Sequence, residues 1–97
     1  MKADFDENYL EKKSEFLHSM AHPVRLKILE ILRDEKACVS ELSEQIKIKQ
    51  PNISQHLNIL RNSGIITKKR KGKMIFYNIN EENVSNILKT IDTFLKN

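Results

Sequence analysis

The side chains best suited to polar recognition lie together between Gln50 and Leu60, in the sequence QPNISQHLNIL. The apolar residues of this stretch recur at i, i+4 and i+7, which predicts one buried stripe of a helix. At about 100° per residue, Gln55 and Asn58 point away from that stripe, and Asn52 and Ser54 flank it. The outward face carries amides and a hydroxyl, and no carboxylate. Because such groups both donate and accept hydrogen bonds, the pattern favours contact with the edges of base pairs in a DNA major groove.

The charge of the chain is distributed unevenly along its length. Seven basic and ten acidic side chains lie in residues 1–44, and two basic and three acidic ones lie in residues 81–97. Residues 45–80 contain eight basic side chains and no acidic one: Lys47, Lys49, Arg61, Lys68, Lys69, Arg70, Lys71 and Lys73. A polyanion, if one binds, is therefore expected to bind this middle third. A basic run can also be no more than the solvated face of a loop.

Two short helices with a tight connection are predicted to position the polar face. The first is expected to run from about Ser40, as its cap, to Gln45 or Ile46. Residues 47–50 connect it to the second helix, for which Gln50 is the expected cap and Pro51 suits the first turn. This arrangement over residues 39–62 is typical of a helix-turn-helix, although many other helix pairs share it.

A β-hairpin is predicted directly after the second helix. Gly64 is placed to end that helix in a left-handed conformation. The β-rich runs 65–67 and 74–79 then form the strands, and residues 68–73, with Gly72 at the bend, form a basic tip. A hairpin in this position is a wing, over residues 65–79.

Amphipathic helices are predicted on both sides of the helix-turn-helix and wing, within residues 1–21 and 80–97. Asn80 is the expected cap of the last helix, with Glu81 and Glu82 in its first turn. The apolar face of the first helix is wider than a small domain can cover, and both helices lie outside the minimal winged unit, so we expect a homodimer through the first and last helices. Ordinary core packing of the first helix is an alternative that is compatible with this dimer. The expected interface residues are Phe5, Tyr9, Phe16, Val84, Ile87, Leu88, Ile91, Phe94 and Leu95.

Between the first helix and the helix-turn-helix, Pro23 is expected to start a core helix that ends near Arg33. The polar face of this helix is expected to be narrow and to consist of Arg25, Lys27 and Glu30. The expected fold is thus a single domain, residues 1–97, mainly α with a small β-hairpin (α+β), in the order α-α-α-α-β-β-α. A chain of 97 residues with 39% hydrophobic residues suits one small core.

Several function classes are disfavoured by composition. No apolar run is long enough to span a membrane and no signal peptide is evident, so we expect a cytoplasmic protein without a membrane partner. The single Cys38 cannot form an internal disulfide. No Ser-His-Asp set, carboxylate pair or Gly-rich phosphate loop is evident, so we expect no enzyme and no cofactor.

From about Phe16 to Ile79 the chain resembles the ArsR/SmtB family of winged-helix repressors. The resemblance is carried by HPVRLKIL from His22, ELS from Glu41, QPNISQHLNIL from Gln50, RNSGII from Arg61, and the wing ending in Phe76 and Tyr77. It implies a homodimer on a palindromic operator, repression relieved by an inducer, and DNA contacts from Gln50, Ser54, Gln55 and the wing lysines. With the residues above, the predicted DNA-binding set is Lys49, Gln50, Asn52, Ser54, Gln55, Asn58, Arg61, Lys68, Lys69, Arg70, Lys71 and Lys73.

His56 is expected to have a structural role. It lies about 60° from the apolar stripe of its helix, at the edge of the core, where it orients the helix and does not read a base.

The residues through which many family members sense metals are largely absent. The family's Cys-Val-Cys motif corresponds to Cys38-Val39-Ser40, and its last-helix ligands correspond to Glu81, Asn83, Phe94 and Asn97, so no metal site is expected. Cys38 is a weak candidate for a thiol or metalloid sensor, but a lone cysteine is more often a small buried hydrophobe.

The sequence therefore predicts a sequence-specific DNA-binding transcriptional regulator, acting as a repressor on double-stranded DNA. One alternative is a sensor repressor that responds through Cys38, and another is a winged helix used only for protein–protein association. The operator, the inducer and the sign of regulation are left open.

Overall fold

In the computed structural model, which describes residues 3–80 and 82–96, five helices and a two-stranded hairpin follow in the predicted order. The elements are α1 (Glu7–Met20), α2 (Pro23–Asp34), α3 (Val39–Ile46), α4 (Gln50–Asn62), β1 (Ile66–Lys71), β2 (Met74–Ile79) and α5 (Glu82–Leu95). This is the winged helix-turn-helix architecture expected from the sequence. No helix within these residues is both long and apolar enough to cross a membrane.

The core is built around α4. Its stripe, Ile53, Leu57 and Leu60, is fully buried, as the spacing predicts. It packs in one cluster with residues of α2, α3 and the hairpin, among them Ile28 and Leu42. Full burial of an aliphatic side chain of this size stabilises the fold by about 1.5–3 kcal/mol, so the three residues fix which face of α4 looks outward.

The predicted caps of α3 and α4 are each wrong by one or two residues. The residue before α3 is Cys38 and not Ser40, and its N–H donates to Glu41 Oε1 over 3.0 Å. Acceptance of this bond lowers the pKa of Glu41. Lys49 precedes α4, Gln50 is already helical, and no side chain caps this end, because a lysine side chain has no acceptor.

The start of α5 also differs from the prediction. The helix begins at Glu82, and the side-chain amide of Asn80 donates to the Gly64 carbonyl oxygen over 3.3 Å instead of capping it. Glu82 lies in the first turn as expected. Glu81 lies outside the described residues.

The turn between α3 and α4 is shorter than predicted, since it comprises residues 47–49 only. Lys47 takes the left-handed conformation, with φ 65°, and ends α3. The Ser43 hydroxyl donates to the carbonyl oxygen of Ile48, and the Lys47 N–H donates to the Ser43 carbonyl oxygen over 2.8 Å. These bonds fix the angle at which α4 leaves α3.

The hairpin is longer and its turn tighter than predicted. Strand β1 continues to Lys71, so the predicted tip residues 68–71 are strand residues, and the turn is Gly72 and Lys73 alone. Gly72 has φ 65° and Gly64, which ends α4, has φ 75°, a region that favours glycine. Both have open space where a Cβ would lie, so conformation and not crowding demands glycine there.

Helix α5 is attached to the rest of the chain by both apolar and ionic contacts. Val84 and Leu88 are buried in the core cluster. Arg33 of α2 donates to Asp92 of α5 over 3.0 Å and to Glu30 over 2.9 Å, and these carboxylates raise the pKa of Arg33. Such partly exposed ion pairs contribute at most about 1 kcal/mol each, so the apolar contacts dominate.

Candidate nucleic-acid interface

The predicted polar face of α4 is open to solvent. Gln50, Asn52, Gln55 and Asn58 are exposed, and Ser54 is half-buried. Because the opposite stripe is fully buried, these side chains stand on the outer surface of a helix whose rotation is fixed. Their amides can reach a partner without any rearrangement of the core.

Exposed cations surround this face. Lys49 precedes α4, Arg61 lies in its last turn, and all five basic residues of the wing are exposed. In the strand register Lys69 pairs with Phe76, while Lys68 pairs with Tyr77. Since neighbouring strand residues point to opposite faces, the wing carries cations on both faces and at its turn. A hairpin charged on both faces suits a position between two phosphate backbones.

Lys36 joins this basic surface, although the sequence pattern gave no sign of it. The N–H of Ala37 donates to the Tyr77 carbonyl oxygen over 3.1 Å, and the Tyr77 N–H returns a bond of 2.8 Å, so the segment before α3 lies along β2. Lys36 Nζ consequently lies 5.4 Å from the ring centroid of Phe76. Lys36 and the wing border a cavity of 260 Å³, lined by Lys36, Lys69, Arg70, Lys71, Phe76 and Asn78.

His56 braces α4 from the core side, as expected. It is half-buried, its Nδ1 lies 3.1 Å from a guanidinium nitrogen of Arg25, and its ring centroid lies 4.6 Å from that of His22. Burial lowers the pKa of His56, and the nearby His22 and Arg25 lower it further. The assignment of Arg25 to the polar surface of α2 is wrong, since it is 8% exposed.

The residues predicted for a dimer interface fall into two groups. Phe5, Tyr9, Ile91, Phe94 and Leu95 are exposed, with Phe94 at 81%. The other members of the predicted set turn toward their own chain: Phe16 and Ile87 are partly buried against the core, and Val84 and Leu88 are within it. The exposed members of the predicted set thus lie before and in the first turn of α1 and in the second half of α5.

Cys38 is a buried thiol. It is 5% exposed, and its Sγ lies 3.2 Å from the Ser40 hydroxyl. Within residues 3–80 and 82–96, no three His, Cys, Asp or Glu side chains are grouped closely enough to hold a metal ion. Of the positions matched to the family's last-helix ligands, Asn83 and Phe94 are exposed, and Glu81 and Asn97 lie outside the described part of the chain.

Known proteins are similar to this chain in both sequence and fold. The family model for bacterial regulatory proteins of the arsR family matches residues 22–68, from the start of α2 into β1. A helix-turn-helix transcriptional regulator of Methanocaldococcus jannaschii, MJ1325, is 37% identical over 83 residues, which are 84% of this chain and 93% of that protein.

The transcriptional repressor SmtB of Mycobacterium tuberculosis is 35% identical over 79 residues, or 81% of this chain, and the chain spans 58% of that repressor's length. The homodimeric winged helix-turn-helix DNA-binding domain Mb0332 of Mycobacterium bovis has the same fold, with a TM-score of 0.88 at 20% identity, covering 99% of this chain and 91% of that one. The match to the M. jannaschii regulator over nearly its whole length, together with the family match, shows that this chain belongs to the ArsR family of transcriptional regulators.

Proposed function

We propose that this protein represses transcription by binding a specific site in double-stranded DNA. The observation that carries the proposal is the pairing of a carboxylate-free, exposed amide face on α4 with an exposed wing of five cations. The similarity to the SmtB repressor supports the sign of regulation. We also propose a cytoplasmic location, no catalytic activity and no cofactor.

The outer face of α4 and the wing are proposed to contact different parts of the DNA. Gln55, Asn58 and their neighbours on α4 contact base edges, where amides distinguish adenine by two hydrogen bonds. The wing cations and Arg61 contact phosphates, which supplies affinity without sequence preference. Lys49, at the start of α4, adds a positive charge where backbone N–H groups already favour a phosphate.

We further propose that the protein acts as a homodimer through α1 and α5. Exposed aromatic and aliphatic side chains at the ends of these helices, such as Phe5, Phe94 and Leu95, form apolar surface that one copy leaves uncovered. The M. bovis domain of the same fold is homodimeric, which supports assembly as a dimer. Two copies of α4 related by a two-fold axis then read half-sites of a palindrome, about 34–36 Å apart.

No inducer is proposed. The burial of Cys38 leaves its thiol poorly placed for a sensor, which needs an accessible thiolate. A protein–protein module is not proposed, because a wing with five exposed cations and no carboxylate matches the closely spaced negative charges of a phosphate backbone.

A duplex-binding assay with a charged substitution in α5 tests the proposal. The wild type is expected to bind a duplex selected from a randomised pool, with affinity that falls steeply as salt rises. Phe94→Glu places a charge in the proposed interface, so it is expected to sediment as a monomer. It should bind the two-half-site duplex at least about 100-fold more weakly, because a monomer occupies one half-site without a linked second copy.

Lys89→Gln is the matched control, because it lowers the net charge by the same single unit at an exposed position of the same helix, about 140° around the helix axis from Phe94. It is expected to remain a dimer and to bind like the wild type. A wild-type protein that selects no duplex, or a monomeric Phe94→Glu protein with unchanged affinity, would show that the proposal is wrong.

A further inference from the structure

Arg25 is a buried cation that joins three helices. Its Nε donates to the Ser19 carbonyl oxygen at the end of α1 over 2.6 Å, and a terminal nitrogen pairs with His56 Nδ1 on α4 over 3.1 Å. Arg25 itself belongs to α2. Among the described residues, Ser19 and Arg25 are the buried polar side chains. The hydrogen bond between Arg25 and His56 therefore links a buried polar group of α2 to α4.

The geometry determines the protonation state of both histidines in the cluster. Because arginine can only donate, His56 Nδ1 must be the acceptor and its proton must lie on Nε2. His22 Nδ1 likewise accepts the N–H of Val24, 3.1 Å away, and so caps α2. A neutral ring of this tautomer gains its second proton on Nδ1, so protonation of His56 breaks the hydrogen bond that it accepts from Arg25.

Among the residues that the structure describes, no carboxylate forms an ion pair with Arg25 or His56. The groups that act on His56 are His22, beside the start of α2, and Arg25. From α1, Glu15 and His18 line the 520 Å³ cavity that Arg25 also borders, yet no carboxylate of the described residues lies within 4.0 Å of the guanidinium. From α3 and β1, no described side chain forms a hydrogen bond or ion pair with His56.

We propose that Arg25 and His56 are positioning residues for α4: their hydrogen bond holds the helix in the orientation that reads DNA, and protonation of His56 releases it. Sequence-selective binding therefore weakens in acid. This inference rests on the proposed function, since it concerns the orientation of the base-reading helix.

The direction of the pH effect follows from the lowered pKa of His56. The bond is intact above the ordinary histidine value of about 6.5 and is lost as the pH falls through the lowered pKa. The stability that the bond contributes is lost over the same range. Protonation of other histidines would have the opposite effect on DNA, because added positive charge strengthens unselective binding.

The ratio of affinities for a selected and a scrambled duplex separates these effects. The duplex is selected from a randomised pool at about pH 7.5, and the ratio is then measured at successively lower pH through the titration of the His56 ring, which NMR of the same protein locates. The wild-type ratio is expected to fall about tenfold, the change that one hydrogen bond to a charged group represents. His56→Asn keeps an acceptor near the position of Nδ1 but cannot be protonated, so its ratio is expected to stay constant.

His18→Asn is the control, since it removes an exposed histidine of α1 and should preserve the fall seen in the wild type. A constant wild-type ratio, or an equal fall in His56→Asn, overturns the inference. Absence of any selective duplex at the higher pH instead overturns the proposed function.

NMR of the wild type without DNA tests the Arg25–His56 hydrogen bond independently of both variants. His56 Nδ1 is expected to be unprotonated near neutral pH, and the backbone amides of α4 are expected to shift as this ring titrates. Observation of the other tautomer, or of α4 amides that ignore the titration, overturns the inference even if a variant fails to fold.

Discussion

Replacing the five wing cations Lys68, Lys69, Arg70, Lys71 and Lys73 by glutamine will lower the affinity for every duplex by about 10²- to 10³-fold near physiological salt. The reason is that, in the proposed complex, these exposed charges release counterions from phosphates and do not read bases. The slope of log K against log salt should become shallower by up to about 4.5 per copy, at about 0.9 for each phosphate that is no longer neutralised. Fluorescence anisotropy over a salt series measures both quantities.

The control for this experiment removes the same number of charges elsewhere. Five exposed lysines outside the proposed DNA-binding surface are replaced by glutamine in one protein: Lys12, Lys13, Lys27, Lys89 and Lys96. This protein should lose much less affinity and keep most of the slope. Equal losses in the two proteins would mean that net charge alone, and not the wing, attracts DNA.

Leu57→Ala will destabilise the fold by about 2–5 kcal/mol, the cost of removing a fully buried aliphatic side chain and leaving a cavity. Leu57 lies at the centre of the stripe that packs α4 on α2 and α3. A small domain has only about 5–15 kcal/mol of stability in total, so the loss is a large part of it. Urea unfolding followed by circular dichroism measures the change.

Ile59→Ala is the matched comparison, because it truncates an aliphatic residue of the same helix that is 41% exposed. It should cost less than about 1 kcal/mol. Similar losses at the two positions would contradict the burial pattern that fixes the orientation of α4.

The orientation of α4 could be predicted because a single period decides it. Ile53, Leu57 and Leu60 are apolar at helical spacing with polar residues between them, so sequence alone separates the buried face from the exposed one. Gly64 and Gly72 were equally predictable, since a turn that needs positive φ favours glycine. The starts of the helices were harder to predict. Cys38 and Ser40 are two residues apart, and only the hydrogen bond from the Cys38 N–H to Glu41 shows which of them precedes α3.

Residues whose roles depend on distant partners could not be predicted. Arg25 looks like a surface residue of α2 until His56, 31 positions later, is placed beside it. Lys36 joins the wing only because Ala37 pairs with Tyr77 across the fold. The buried position of Leu88 likewise depends on how α5 packs against the rest of the chain, which helical periodicity does not determine.

The central claim is that the exposed amides of α4 read base pairs. Selection of binding sites from a randomised pool, with the wild type and Gln55→Ala side by side, tests it most directly, and Gln45→Ala on α3 serves as the control. The wild type and the control should enrich one two-fold symmetric site.

Gln55→Ala should lose its preference at one symmetric position in each half-site, where discrimination falls by about 1–3 kcal/mol, and should bind scrambled DNA as the wild type does. A wild type that enriches no site, or a Gln55→Ala protein that enriches the same site with undiminished preference at every position, would contradict the claim.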